Sequence, residues 1–495
     1  MDSPLLAFMA VLGYLALLLL LGKKTGKRGS MADFSLGGRR SPWWAVAFGM
    51  VGTSLSGVTF LSVPGWVGTQ QFGYMPMVLG YLLGYAVIMV VLLPLYYRLK
   101  LTSIYRFLGD RIGPKAYLTG AGFFLLSRSI GAAFRLYLVV LVLNETVFPP
   151  SSGFASWIRL TVLVASLLLI IWAYTRRGGI ATVVWTDTLQ TACMLLAAGT
   201  AFVLIAQNLG LSIWEVPKAI ADSGHAQWWF FDDWGAANHS LKQVVSGAFI
   251  ALCMTGLDQD MMQKNLSCRN LKEAQLNMGS FSVVLVFVNL LFLGLGALLL
   301  MHTSATGIAV ERADLLFATV ALEGSMGWAL PVLFLLGLMA AALSSADSAL
   351  TALTTSVCVD FLGMSEDQSH PDAIQRRQKM HLLVSVVVGA LILIFHAVND
   401  TSVIAALFKM ASYTYGPLLG LFAFALLRRE PIHPEGDRWI PILAILAPLT
   451  GWALEQWTQR YGFSFGFALL PVNGFLTWAG ASLMLFFQEK AAREV

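Results

Sequence analysis

Residues 42–68 read PWWAVAFGMVGTSLSGVTFLSVPGWVG. The run is apolar and long enough to cross ~30 Å of hydrocarbon, which takes about 20 helical residues. Its middle, Gly52-Thr53-Ser54-Leu55-Ser56-Gly57, is poor helix and rich in small polar groups. Backbone opened at membrane depth is tolerated only where it lines a cavity or an ion site. A second such run, KQVVSGAFIALCMTGLDQD (242–260), carries Gly247 and then Thr255-Gly256. The two breaks lie five predicted spans apart. Five is odd, so the two spans run in opposite directions. This predicts an inverted repeat of five helices with the binding site at the repeat interface.

The rest of the chain agrees with a bilayer. Of 495 residues, 57% are hydrophobic and only 12% charged. Soluble domains are nearer ~45–50% apolar and ~25% charged. The balance excludes an ordinary soluble enzyme, a disordered chain and a nucleic-acid binder. Thirteen stretches qualify as transmembrane helices, and their apolar runs are continuous, which excludes a β-barrel. The expected fold is an all-α polytopic membrane protein. Its 5+5 inverted-repeat core has one extra N-terminal helix and two extra C-terminal ones. The predicted divisions are 1–30 (extra helix and basic loop), 31–206 (first repeat), 207–240 (outer loop), 241–430 (second repeat) and 431–495 (two helices and tail).

Basic residues orient these helices, since cytoplasmic loops collect Lys and Arg. The first span is no cleavable leader: no Lys or Arg precedes it, and Lys23, Lys24, Lys27 and Arg28 follow it. With the N-terminus outside and the C-terminus cytoplasmic, 24 Lys and Arg fall on inner loops and tail, Lys264 among them, and 5 outside. A multi-pass protein of the plasma (cell inner) membrane is expected. The four cysteines have no zinc spacing and suggest no disulfide. Trp228, Trp229, Phe230, Phe231 and Trp234 in the outer loop read as an interface cover. Residues 311–323 read as a short outer amphipathic helix, and 364–379 as a polar inner loop.

Charges left inside the bilayer are costly and point to function. Ala341, Ser344, Ser345 and Ser348 share one helical stripe, and Asp347 borders it. Hydroxyls and a carboxylate on a small-residue face suit a hard monovalent cation, although close helix packing also uses such a stripe. Asp187 is a second intramembrane carboxylate; the two aspartates can face one another across one cation site, or Asp187 can cap or pair near the interface. Arg128 and Arg135, seven residues apart on one face, can meet an anionic solute or an internal partner such as Asp258 or Asp260. Lys409 has the same two readings. No HExxH or GxSxG motif suggests an enzyme.

Five segments together resemble the sodium:solute symporter family: ADFSLGGRRSPWW (32–44), TSLSGVTFLSVPG (53–65), GGIATVVWTDTLQ (178–190), LDQDMMQKNLSCRNLKEA (257–274) and AALSSADSALTALTTSVCVD (341–360). TYGPLLGLF (414–422) fits a sixth pattern. The resemblance implies a sodium-coupled symporter working by alternating access, with sodium ion as the coupling ion. It assigns the principal sodium site to Gly52, Leu55, Ala341, Ser344 and Ser345. It assigns a second cation site to Asp187, Ser344, Asp347 and Ser348. Expected partners are a small-molecule substrate, sodium and the lipid bilayer, with no nucleic acid. Positions for the substrate are Thr53, Ser54, Ser56, Thr59, Gln70, Gln71 and Phe72, with Arg128 and Arg135. The stretch 56–64 is more similar to the iodide, monocarboxylate and sialic-acid branch than to the sugar branch, so an organic anion is favoured. The alternatives are proton coupling, a sugar, polyol or amino-acid cargo, and a solute sensor that transports nothing.

Overall fold

In lipid every backbone polar group must be paired within its own segment, so continuous apolar runs fold as helices. The computed structural model describes residues 3–25, 31–144, 154–323, 326–365, 370–398, 403–427 and 434–493. In chain order the long helices are α1 (Ser3–Thr25), α2 (Trp43–Gln70), α3 (Met75–Arg98), α4 (Pro114–Val142), α5 (Phe154–Thr175) and α6 (Ile180–Asn208). Then come α7 (Ser240–Gly256), α8 (Gln259–Leu266), α9 (Leu271–Thr306), α10 (Leu316–Glu323) and α11 (Ala329–Ser356). The chain ends with α12 (Pro371–Val398), α13 (Val403–Leu427), α14 (Ile440–Gln459) and α15 (Leu469–Arg493). Among the described residues ten helices are long and apolar enough to cross a membrane, or eleven with the bent pair α7–α8 counted as one span.

Both expected breaks are present. In α2, Ser56 takes φ 23° and ψ 172°. That non-helical residue stops the hydrogen-bond ladder, so carbonyls of the preceding turn lose their helical partners. α7 loosens into a π-helical turn over Leu252–Gly256 and ends at Leu257. Asp258 is extended, its carboxylate accepts the Asp260 N–H at 2.9 Å, and α8 leaves at 64° to α7.

At the centre, α2 packs against α6, α9 and α11, while α11 also packs on α4 and α6. α3 and α7 lie side by side with almost no space between them. A Cβ at Gly80 would sit 2.1 Å from the Val244 carbonyl, and one at Gly247 2.1 Å from the Met77 carbonyl. α1 covers α11, α5 and α6 from outside.

Four expectations shift. Residues 259–266 are helical, not loop, and every one of them is buried, Lys264 included. The inner loop predicted over 364–379 is shorter, because α12 starts at Pro371. The outer segment around 311–323 is helical but mostly buried, with the Ala313 carbonyl packed against Gly65 of α2. The aromatic cluster of the outer loop is mixed: Trp229, Phe231 and Trp234 are exposed, whereas Trp228 packs on Phe72 with ring centres 6.4 Å apart.

Candidate functional site

The break in α2 and the serine stripe of α11 face each other. A Cβ on Gly52 would lie 3.4 Å from Ser344 Oγ and 2.1 Å from Thr191 Oγ1, so glycine lets the broken helix α2 approach α6 and α11 closely here. Thr191 is held in place by donating to the Asp187 carbonyl at 2.7 Å. Ser345 donates back to the Ala341 and Ala342 carbonyls, each at 3.3 Å. Ser344 donates to Asp187 Oδ1 at 2.7 Å. The hydroxyl oxygens of both serines keep lone pairs for an incoming cation. Gly52, Leu55, Ala341, Ser344 and Ser345 are all fully buried. Carbonyls and hydroxyls of this kind suit a hard cation.

The second group of predicted ligands is divided. In this arrangement Asp187 and Asp347 each have protein partners of their own. Asp187 Oδ2 accepts from Lys264 Nζ at 2.6 Å and from Thr53 Oγ1 at 3.1 Å. Lys264 also donates to Thr53 Oγ1. Ser348 has turned to Asp260, donating at 2.7 Å. Asp347 Oδ2 accepts from the Tyr174 hydroxyl at 2.7 Å and Thr186 Oγ1 at 3.3 Å.

Beside the break lies a cavity of about 90 Å³, lined among others by Thr53, Ser54, Ser56 and Thr59 of α2, by Tyr74, Tyr81 and Tyr85 of α3 or its approach, and by Arg128 and Arg135 of α4. The two arginines differ in their company. Arg128 donates to Asp260 and lies 3.9 Å from Asp258, whose carboxylate accepts from the Tyr415 hydroxyl and the Asp260 N–H. Its charge is therefore balanced by the protein. Arg135 is 7% exposed, its Nε makes no hydrogen bond, and the ion pairs found among the described residues do not include it. A buried guanidinium in this condition is ready for an anion.

Gln70, Gln71 and Phe72 do not reach the cavity. They sit at the end of α2, where Gln71 turns the chain with φ 51° and Phe72 packs under Trp228. Lys409 points away from it and is exposed on α13. Sequence reasoning missed Lys264, Thr191, Tyr174, Tyr415 and the three cavity tyrosines. Around the two breaks the buried carboxylates of Asp187, Asp258, Asp260 and Asp347 exceed the buried arginines Arg128 and Arg135, and Lys264 is the third base there.

Comparison with known proteins bears on this geometry. The model of the sodium:solute symporter family matches residues 34–429. The chain is 25% identical to a sodium/sialic acid symporter of Proteus mirabilis over 488 residues, covering 96% of this chain and 93% of that one. It is 26% identical to sodium-coupled monocarboxylate transporter 1 of Homo sapiens over 454 residues, covering 88% of this chain and 68% of the relative. Its fold matches a substrate-bound, outward-open sodium-coupled sialic acid symporter with a TM-score of 0.77 at 21% identity, covering 97% and 98% of the two chains. A nucleobase-cation-symport-1 family transporter in a closed conformation matches with a TM-score of 0.57 at 11% identity, over 94% and 96%.

Proposed function

We propose, for a chain that belongs to the sodium:solute symporter family and is a sodium-coupled transporter rather than an enzyme, that its cargo is a small organic anion held by Arg135 beside the α2 break. The observation that carries this is the buried guanidinium of Arg135 in the cavity wall, with Nε free of hydrogen bonds and no ion pair found among the described residues. A sugar or polyol would leave that charge uncompensated. The cavity volume of about 90 Å³ is well under the ~300 Å³ at which sites for larger ligands begin. This supports a short monocarboxylate over a nine-carbon sugar acid. Thr53, Ser54, Ser56 and Thr59 supply its polar contacts, and Tyr74, Tyr81 and Tyr85 its walls.

The principal sodium is assigned to the carbonyls of Gly52, Leu55 and Ala341 with the hydroxyls of Ser344 and Ser345. Sodium there ties α2 to α11 and holds the break in the shape that binds solute, and the bundle then rocks to release both inside. One sodium with one anion carries no net charge, so the sodium concentration gradient drives that cycle; each net charge crossing 100 mV would supply ~2.3 kcal/mol, about 50-fold in concentration. The architecture is read as thirteen spans, with α1 outside a 5+5 inverted repeat and α14 and α15 after it. The N-terminus is placed outside and the C-terminus in the cytoplasm, at the cell membrane.

The test is uptake of labelled lactate, propionate and sialic acid into proteoliposomes under an inward sodium gradient. Lactate or propionate uptake that disappears with lithium or potassium, and falls at least tenfold in Arg135→Gln, is expected. Sodium-independent uptake driven by a pH gradient overturns sodium coupling. Arg135→Gln with unchanged uptake removes the anion assignment.

A further inference from the structure

Of the ten helices long enough to span a membrane, α5 and α12 are the two least buried by the rest of the protein. They pack on each other, outside α11. Along their seam runs a groove of about 450 Å³, whose walls include Ala165, Leu168 and Leu169 of α5 and Leu382, Gly389 and Ala390 of α12. Small residues shape it. A Cβ on Gly389 would sit 2.9 Å from Leu168 Cδ1, so the glycine forms the floor, and the exposed Ala165 and Ala390 leave the rim open. The two hydroxyls in the wall, Thr161 and Ser385, each donate to a carbonyl of their own helix at 2.8 Å, those of Trp157 and His381. Neither is left to hold water, and apolar cavities stay dry. In a bilayer the material that meets such a groove is hydrocarbon.

Helical spacing carries both walls to a charged end. On α5, Leu169 is followed on the same face by Trp172 and Arg176. On α12, Leu382 is preceded on the same face by Lys379. The Arg176 guanidinium stacks 4.5 Å from the centre of the Trp172 ring, and the Trp172 indole N–H donates to the Gln378 carbonyl at 3.5 Å. The two helix ends are thereby tied together, with Arg176 held at the seam. Arg177 and Arg376 flank it and are exposed, whereas Arg377 is turned inward over the Phe34 ring. The one acid on the two helices, Asp372, lies about two turns beyond Lys379. From Leu382 to Leu393 the groove runs about 16 Å along α12, the depth of one leaflet of a ~30 Å hydrocarbon core.

We propose that the seam of α5 and α12 binds one anionic phospholipid, with its phosphate between Arg176 and Lys379 and one acyl chain lying over Gly389. Bases gathered between helices at a membrane surface recognise a lipid head group, and the apolar groove selects a phosphate that carries a chain. A second copy of the protein is a poorer occupant. Both copies insert the same way up, so a dimer through this seam would set the same basic ends side by side, whereas a phosphate neutralises them. In the orientation proposed above, the lipid belongs to the cytoplasmic leaflet. The groove shares no residue with the cavity beside the α2 break, so the proposal does not depend on the identity of the cargo.

The experiment titrates the purified, delipidated chain in detergent with dioleoylphosphatidylglycerol, dioleoylphosphatidylcholine and glycerol 3-phosphate, and reads the bound species by native mass spectrometry. One phosphatidylglycerol per chain, held at least about tenfold more tightly than phosphatidylcholine, is expected. Arg176→Gln combined with Lys379→Gln should weaken it roughly 30-fold and remove the preference between the two lipids. Ala390→Phe, which fills the groove from its open side and leaves the bases in place, should abolish tight binding of both. Equal affinity of the wild type for the two lipids overturns the proposal, as does phosphatidylglycerol binding unchanged in either variant. Glycerol 3-phosphate bound as tightly as the lipid would make this a site for free phosphate and overturns it too. A wild-type dimer without lipid, which Ala390→Phe converts to a monomer, assigns the seam to a second copy instead. Ala165→Phe fills the groove from the α5 side and decides the matter where Ala390→Phe fails to fold.

Discussion

Lys264 governs how the buried acids are used. Its side chain is 1% exposed, and Nζ is 2.6 Å from Asp187. A loop reading of the polar stretch LDQDMMQKN hides it, because the stretch resembles any cytoplasmic connection. Only the fold of α8 back under the bundle brings the ammonium to α6. Removing one partner from a buried pair strands a charge and costs about 3–5 kcal/mol. Lys264→Gln should therefore lower the unfolding temperature sharply, and adding Asp187→Asn should restore most of it. A Lys264→Gln variant as stable as wild type would show that the pair is solvated and structurally idle. The serines of the principal site give the complementary case. Ser345→Ala deletes one sodium oxygen with little change in packing, so the sodium needed for half-maximal uptake should rise several-fold at unchanged maximal uptake. An unaltered sodium requirement would remove Ser345 from the ligand set.

At the scale of helices, the interrupted segment is the working part. The run Gly52–Gly57 declares itself in sequence because small and hydroxyl residues replace the Leu and Val of a normal span. The structure gives that run a specific seat. Gly52→Ala sets a Cβ 2.1 Å from Thr191 Oγ1, which must push α2 off α6. Sodium-dependent uptake should be lost in Gly52→Ala and partly return when Thr191→Ala is added. Full activity in Gly52→Ala alone would mean that the contact is soft. The stripe Ala341-Ser344-Ser345-Ser348 is equally legible, from helical spacing alone. What spacing leaves open is which acid each serine serves: Ser344 turns to Asp187 and Ser348 to Asp260 because α6 and α8 cross α11 at different heights. Tyr14 and Gln190 are harder to read: the apolar stretch of α1 announces only that it crosses the bilayer, and Tyr14, its one hydroxyl between Ser3 and Thr25, is buried where α1 packs on α6 and α11. The outer helices also hold the core: Asp437 caps the start of α4, accepting from the N–H groups of Lys115 at 2.7 Å and Ala116 at 2.8 Å. Asp437→Ala should cost about 1 kcal/mol, the usual worth of such a cap, seen as a small drop in unfolding temperature with sodium affinity unchanged.

The whole molecule carries the charge argument. Two sodiums and one monocarboxylate bring one net positive charge inward per cycle, whereas one sodium and one monocarboxylate bring none. The difference is measurable without identifying either site. A net charge makes the membrane potential part of the driving force, ~2.3 kcal/mol at 100 mV, which is about 50-fold in accumulation. In proteoliposomes with equal sodium on both sides, an interior-negative potassium diffusion potential should drive lactate or propionate inward above its equilibrium level, and an interior-positive one should drive it out. Asp347→Asn, which loses the second cation under this view, should retain sodium-dependent exchange but lose the response to potential. Wild-type accumulation indifferent to potential would mean one sodium per anion, driven by the sodium concentration gradient alone.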